Sequence, residues 1–137
     1  MVDRIMVDRG LLDTSVMIAV ESGRGVDYGA IPLRQFVCSI SLGELYFGVH
    51  AAHDAETRAA RVSTLESISA LSALPVNAAA AAHWGRLRLR LRDEGRRINV
   101  NDLWIAAVAL AHDMPVITQD DDFNILSDLG GPDIIMV

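Results

Sequence analysis

The chain is 137 residues long, enough for one domain with a buried core, and its 51% hydrophobic content points to surface covered by another chain. Its formal charge of −6 argues against indiscriminate nucleic-acid binding, and no apolar run nears the ~20 residues of a membrane span. A single cysteine, Cys38, excludes an internal disulfide; beside Phe36, Val37 and Ile40 it reads as a buried thiol of a reducing compartment, the cytoplasm.

Residues 1–8 read as a short leader before a domain spanning 9–137. Met-Val-Asp-Arg occurs there twice, at 1–4 and 6–9, and the segment lacks the long apolar core of a signal peptide. Residues 9–13 predict a strand that ends on a carboxylate, Asp13, and 14–21 a short helix. Residues 22–34, with Gly23, Gly25, Gly29 and Pro32, read as a loop or broken helix. A short apolar run at 36–39 suits a buried parallel strand. Ser41 with Glu44 three positions on matches a capping box for the helix that follows.

Residues 54–69 predict a helix from the spacing of Ala55, Ala59, Val62, Leu65 and Ile68. Residues 71–76 predict a strand, with Pro75 confining that end to a sheet edge or a bulge. The run 86–92 alternates Arg and Leu like a strand, but an Ala run leads into it and Gly95 stops it, so 78–93 reads as one helix. His83 and Trp84 on it read as packing residues, since no second His or Cys stands nearby to complete a zinc site. Asn101 suits an N-cap and Asp102 a first turn, ahead of an apolar segment, 103–111, that should be a central helix. Residues 115–118 predict a strand with Asp120, Asp121 and Asp122 at its carboxyl end, and 134–137 a last short strand after Gly130-Gly131-Pro132.

Alternating strands and helices imply an α/β fold: a single domain with a central parallel sheet of four to five short strands flanked by helices. Asp13, Glu44, Asp102 and Asp120 would then gather at one edge of that sheet. Each alone could be a helix cap; four such coincidences at one edge are the less economical account. Carboxylates ~4 Å apart repel by several kcal/mol even at an effective dielectric near 20, so the cluster calls for a cation. Oxygen-only ligation suits Mg²⁺ or Mn²⁺, and the chemistry that fits is metal-assisted hydrolysis of a phosphodiester.

Four segments carry a family resemblance: Leu11-Leu12-Asp13-Thr14-Ser15; Ser41-Leu42-Gly43-Glu44-Leu45 with Gly48; Asn101-Asp102-Leu103-Trp104-Ile105-Ala106-Ala107; and Val116-Ile117-Thr118-Gln119-Asp120-Asp121-Asp122-Phe123. In this order and spacing they resemble PIN-domain ribonucleases, specifically the VapC-like toxins of type II toxin–antitoxin pairs, from about Leu11 to the C-terminus. The resemblance implies a Mg²⁺-dependent endoribonuclease toxin, a hydrolase with Asp13 and Asp102 as core metal ligands and Glu44 as the third acid. For the fourth acid Asp120 matches best and Asp122 is the runner-up; Thr14, Ser15 and Thr118 would support the ligands. It also implies a homodimer and a VapB-like antitoxin that occupies the active-site groove.

All twelve basic residues are Arg, and six of them lie between Arg86 and Arg97. Arg86, Arg90 and Arg97 are the candidates for holding an RNA backbone, and a solvated helix face with dimer salt bridges is the alternative. Two other functions compete. A phosphoacceptor domain would want a Lys, which the chain lacks, or a second Asp where Ser15 stands. A catalytically inactive PIN-like binding module is disfavoured because all four acid positions are filled.

Overall fold

Two successive residues of the first strand, β1 (Arg9–Leu12), face opposite ways, and each finds its own core. Leu11 packs with Leu87, Leu91, Leu103, Ile105 and Phe123 on one side of the sheet. Leu12 packs with Val16, Met17, Val37, Leu45 and Ile117 on the other. This is a computed structural model, and it describes residues 8–137. Of the leader expected at 1–8, only Asp8 lies within the described residues, where it pairs with Arg34 at 3.5 Å.

After β1 come α1 (Thr14–Ser22), β2 (Arg34–Cys38), α2 (Ser39–Ala51), α3 (Ala55–Ser69), β3 (Ala73–Leu74), α4 (Ala78–Asp93), α5 (Val100–Ala111), β4 (Val116–Thr118) and β5 (Ile134–Met136). Short 3-10 turns at Tyr28–Ala30 and Asp121–Leu126 interrupt the connections. The five strands run in the order β3-β2-β1-β4-β5, every neighbouring pair parallel. The α/β architecture is therefore the expected one. Helix α5 is central as foreseen, with Leu103, Ile105, Ala106, Ala107, Val108 and Ala109 all buried. Among the described residues no helix is long and apolar enough to cross a membrane.

The Arg-Leu alternation in α4 resolves by helical geometry. Leu87 and Leu91, four apart, are buried, whereas Leu89 is 47% exposed. Trp84 stacks on Trp104 of α5, ring centroids 4.9 Å apart, which makes it the packing residue expected. Strand β3 shrinks to two residues at the sheet edge, because Pro75 has no N–H to extend the ladder. Helix α3 is an outer layer: none of its residues is fully buried, and Ala55 and Ala59 are exposed. Cys38 is fully buried, and that burial pushes its thiol pKa up.

Two capping assignments need correction. Helix α2 begins at Ser39 rather than after Ser41, capped by Cys38 without a side-chain bond, so Ser41 and Glu44 form no capping box. Ser39 Oγ donates to the Leu74 carbonyl of the neighbouring strand, a tertiary contact that fastens this earlier start. Helix α5 is capped by Asn99, whose Oδ1 accepts from the amides of Asn101 (2.9 Å) and Asp102 (3.4 Å), and Asn101 is not the cap. Asp13 is the N-cap residue of α1 but makes no side-chain cap bond. Only Asp120 retains a capping role, through its Oδ1 and the Asp122 amide at 3.0 Å. Three of the four acids are thus released from the duty that could have explained them.

Candidate active site

From β1 the chain steps outward to β2 and β3 on one side, then returns to lay β4 against the other side of β1. In an open α/β sheet such a reversal leaves a crevice beyond the carboxyl ends of the strands, where ligands bind. Asp13 follows the last residue of β1, and its amide donates to Ile117 of β4 at 2.9 Å, so it stands at the reversal. Asp120 lies two residues past the end of β4, and Asp102 sits in the first turn of α5. Glu44 comes from the second turn of α2.

Asp13 is only 4% exposed, and two hydroxyls hold one of its oxygens. Ser15 Oγ donates to Oδ2 at 2.7 Å and Thr118 Oγ1 donates to the same atom at 2.9 Å. Each hydroxyl in turn accepts a backbone amide: Ser15 from Gln119 at 3.0 Å, Thr118 from Asp120 at 2.9 Å. The amides enforce the direction, since a hydroxyl that accepts there keeps its proton for the carboxylate. The pair therefore bolts the acid of β1 to the backbone that carries the acid of β4, and leaves Asp13 Oδ1 with no hydrogen bond among the described residues. A third hydroxyl, Thr14 Oγ1, donates to Glu44 Oε1 at 2.7 Å and fixes the acid of α2 against α1.

Asp102 registers the convergence. Its carboxyl is pushed up to about 7, first by burial, then by the negative fields of Asp13, Asp120, Glu44 and Asp122. Three of the four sequence-designated acids, Asp13, Glu44 and Asp120, therefore act on the fourth, Asp102, joined by Asp122; Asp13 and Glu44 do not enter the tightest group of oxygens. Carboxylate oxygens of Asp102, Asp120 and Asp122 lie within 4.8 Å of one another, a hard-oxygen donor set able to hold a metal ion. Asp122, beside Asp120, is also raised, mainly by that neighbour's charge. Of the three consecutive aspartates, Asp120 and Asp122 enter the cluster and Asp121 does not.

Two hollows flank the acids. One, about 880 Å³, runs between α1, α2 and α3 and is lined at one end by Thr14, Glu44 and Asn101, at the other by His53 and Arg61. The second, about 480 Å³, is lined by Arg97, Ile98, Asn99, Asp121, Asp122 and Ile125. Arg97 thus borders the hollow that Asp122 also lines. Arg86 does not lie there: its guanidinium donates to the carbonyls of Leu129 (3.5 Å) and Gly130 (3.2 Å), beneath the turn before β5. Arg90 is exposed and makes no side-chain hydrogen bond or ion pair among the described residues. Sequence reasoning passed over Arg61 and His53. They come from α3 and the turn before it, and no local motif links them to Glu44.

The PIN-domain family model matches residues 10–129. The ribonuclease VapC5 of Mycobacterium tuberculosis is 51% identical over 128 residues, covering 93% of this chain and 95% of its own. VapC4 of the same organism is 35% identical over 130 residues, covering 90% and 95%. The crystal structure of VapBC-5, a toxin–antitoxin system from M. tuberculosis, contains a chain that superposes with a TM-score of 0.88 at 47% identity, covering 95% of this chain and 99% of that one. With an all-oxygen acid cluster at the sheet reversal and relatives matched along nearly their whole length, the chain belongs to the PIN-domain family and, within it, to the VapC ribonucleases.

Proposed function

We propose that this protein is the toxin of a toxin–antitoxin pair, an endoribonuclease that hydrolyses RNA phosphodiesters at the acid cluster with a bound Mg²⁺, or Mn²⁺ in its place. The observation that carries the reading is the convergence of carboxylate oxygens of Asp102, Asp120 and Asp122 to within 4.8 Å of one another, with Asp13 fastened through Thr118 to the backbone that carries Asp120. Such a concentration of like charge is costly unless a cation neutralises it. Asp13, Asp102, Glu44 and Asp120 are the proposed ligands, with Asp122 as the further acid in reach. When bound, a hard divalent ion supplies charge for the phosphate oxygens and lowers the pKa of a water.

The chain's own residues do the positioning. Ser15 and Thr118 occupy Asp13 Oδ2 and so leave the carboxylate's other oxygen for a ligand. Thr14 holds Glu44 by one oxygen in the same way. Asn99 binds the amides at the start of α5 and keeps Asp102 in the positive end of the helix dipole. Arg97, which lines a hollow with Asp121 and Asp122, takes an RNA phosphate in this reading; Arg86 carries the Gly130 turn, and Arg90 lies exposed beside the same turn.

The functional unit is the single domain 9–137, acting in the cytoplasm as a homodimer and silenced by a VapB-like antitoxin. The relative in the matched VapBC-5 structure is, by its description, part of a toxin–antitoxin system. The exposed apolar side chains Leu33 (97%), Phe47 (73%) and Tyr28 (62%) offer surface for such partners. The test is cleavage of total RNA, with ends mapped, by the wild type and Asp13→Asn, each with Mg²⁺ and with EDTA. Cleavage confined to wild type with Mg²⁺ is expected; equal cleavage by Asp13→Asn would refute the assignment.

A further inference from the structure

We propose that the cavity at the C-terminal end of α4 takes backbone phosphates of the RNA strand that flank the scissile bond, and holds them through Arg88, Arg92 and Arg97. This rests on the nuclease reading and extends it to how the strand is kept in place. The cavity is about 600 Å³ and is lined by residues of α4, of α5 and of the connection between them. Four of its nine lining residues are arginine and none is acidic, in a chain whose formal charge is −6. A positive hollow on an acidic protein gathers anions there and not elsewhere on the surface.

Helical geometry and one turn assemble it. Arg88 and Arg92, four apart, share a face of α4. At ~100° per residue that face lies away from the one that carries Arg86 and Arg90 at the Gly130 turn. Gly95, with a φ of 66°, then ends the helix, and the amides of Gly95 and Arg96 donate to the carbonyls of Arg92 (3.1 Å) and Leu91 (2.9 Å). The chain folds back on the helix end, which brings Arg96 and Arg97 into the same cavity as Arg88 and Arg92. The same bonds engage carbonyls that would otherwise face an incoming anion.

The four guanidinium groups are not equally committed. Arg96 is spent on structure, its Nη1 donating to Asp128 at 3.1 Å and to the Ile125 carbonyl at 3.4 Å. Arg92 has only a loose pair with Asp93 at 3.5 Å, exposed on both sides and weak in water. Arg88 and Arg97 make no side-chain hydrogen bond or ion pair among the described residues, which leaves two forks open for phosphate oxygens. The rest of the lining is aliphatic apart from Gly95, with no aromatic ring on which a base could stack, so the cavity suits backbone and not bases. Arg97 and Ile98 also line the hollow of Asp121 and Asp122, and Asp122 belongs to the acid cluster. The two hollows therefore adjoin, and a strand leaving the cluster on that side meets the arginines. An acidic protein segment on the same path would run beside Asp121 and Asp122, where like charge repels it. Phosphate contacts of this kind fix affinity and register without reading sequence.

The experiment measures binding of a fluorescein-labelled unstructured RNA oligonucleotide to the full chain carrying Asp13→Asn, so that RNA is bound but not cut, over a series of salt concentrations at fixed Mg²⁺. Arg88→Gln and Arg92→Gln should each lower the slope of log affinity against log salt by about 0.7, with unchanged circular dichroism. Arg90→Gln removes the same charge from another face of the same helix and should leave the slope as it is. An equal fall with Arg90→Gln would reduce the effect to net charge and overturn the proposal. So would unchanged slopes in both Arg88→Gln and Arg92→Gln; if those two also bound a VapB-like antitoxin more weakly, the cavity would be a protein site instead. In those cases a wild type that cleaves and an Asp13→Asn protein that does not leave the nuclease reading standing. Cleavage by Asp13→Asn equal to wild type would remove both.

Discussion

In metal-free protein, Asp102→Asn should raise stability at neutral pH and abolish a pH dependence that the wild type carries. The Asp102 carboxyl is pushed from the ordinary 3.8 up to about 7 by burial and by four surrounding carboxylates. A shift of roughly three units corresponds to about 4 kcal/mol at full weight. The side chain is partly open to solvent, so screening reduces this to about 2 kcal/mol. The sign follows from proton binding: between 3.8 and about 7 the folded protein holds this proton more tightly than the unfolded chain. That contribution to stability is complete below the unfolded value, shrinks as pH rises through the window, and is gone above the folded value. Asn cannot ionise and leaves the four other acids with one charge fewer to repel. Urea unfolding in EDTA, from about pH 5 to about pH 8, covers roughly the upper two-thirds of that window and should show the variant's advantage growing by about 1.3 kcal/mol with rising pH. An advantage constant to within about 0.5 kcal/mol, or one that shrinks, would refute the electrostatic reasoning. Saturating Mg²⁺ at the alkaline end should reverse the order, because a bound divalent cation stabilises only the protein that retains the carboxylate.

Thr118→Val keeps the shape of a fully buried side chain but strips the proton from Asp13 Oδ2 and leaves the Asp120 amide without its acceptor. The expected cost is about 1–3 kcal/mol by urea unfolding, with RNA cleavage falling further than stability explains. Asn99→Ala removes the cap that holds the Asp102 amide and should cost about 1 kcal/mol, with weaker Mg²⁺ binding by titration calorimetry. Arg97→Ala should lower the salt slope of RNA binding by about one and leave thermal stability unchanged. Arg86→Ala should do the opposite, reducing stability by about 1 kcal/mol at an unaltered slope, since its guanidinium is spent on the carbonyls of Leu129 and Gly130.

The elements were legible in the sequence wherever one periodicity dominated its neighbourhood. The apolar run of α5, the Ala run of α4 with Gly95 behind it, and the short apolar strands each carry a local signal, and each forms at or within a few residues of its expected bounds. The acids were legible as a set, because a carboxylate at a strand end or in a helix first turn keeps that place in any parallel α/β sheet. Their roles were not. Whether Asp13 is a cap or is held for other work depends on Ser15 and on Thr118, which β4 brings across the sheet from the far end of the chain. Whether Ser41 starts a helix depends on Ser39 finding the Leu74 carbonyl of β3. Which aspartate of 120–122 joins Asp102 depends on the 3-10 turn that follows, which brings Asp120 and Asp122 to the cluster and leaves Asp121 outside it. The arginines between 86 and 97 are neighbours along the chain but do not share one surface. Arg86 and Arg90, four apart on one face of α4, both lie at the Gly130 turn, whereas Arg97, past the end of that helix, lines a hollow with Asp121 and Asp122. Chain-local spacing sets the kind of element and the residue types at its ends. Which atoms then touch is decided by contacts between segments far apart in sequence, and the cleft lined by Thr14, Glu44 and Arg61 exists only once those segments have packed.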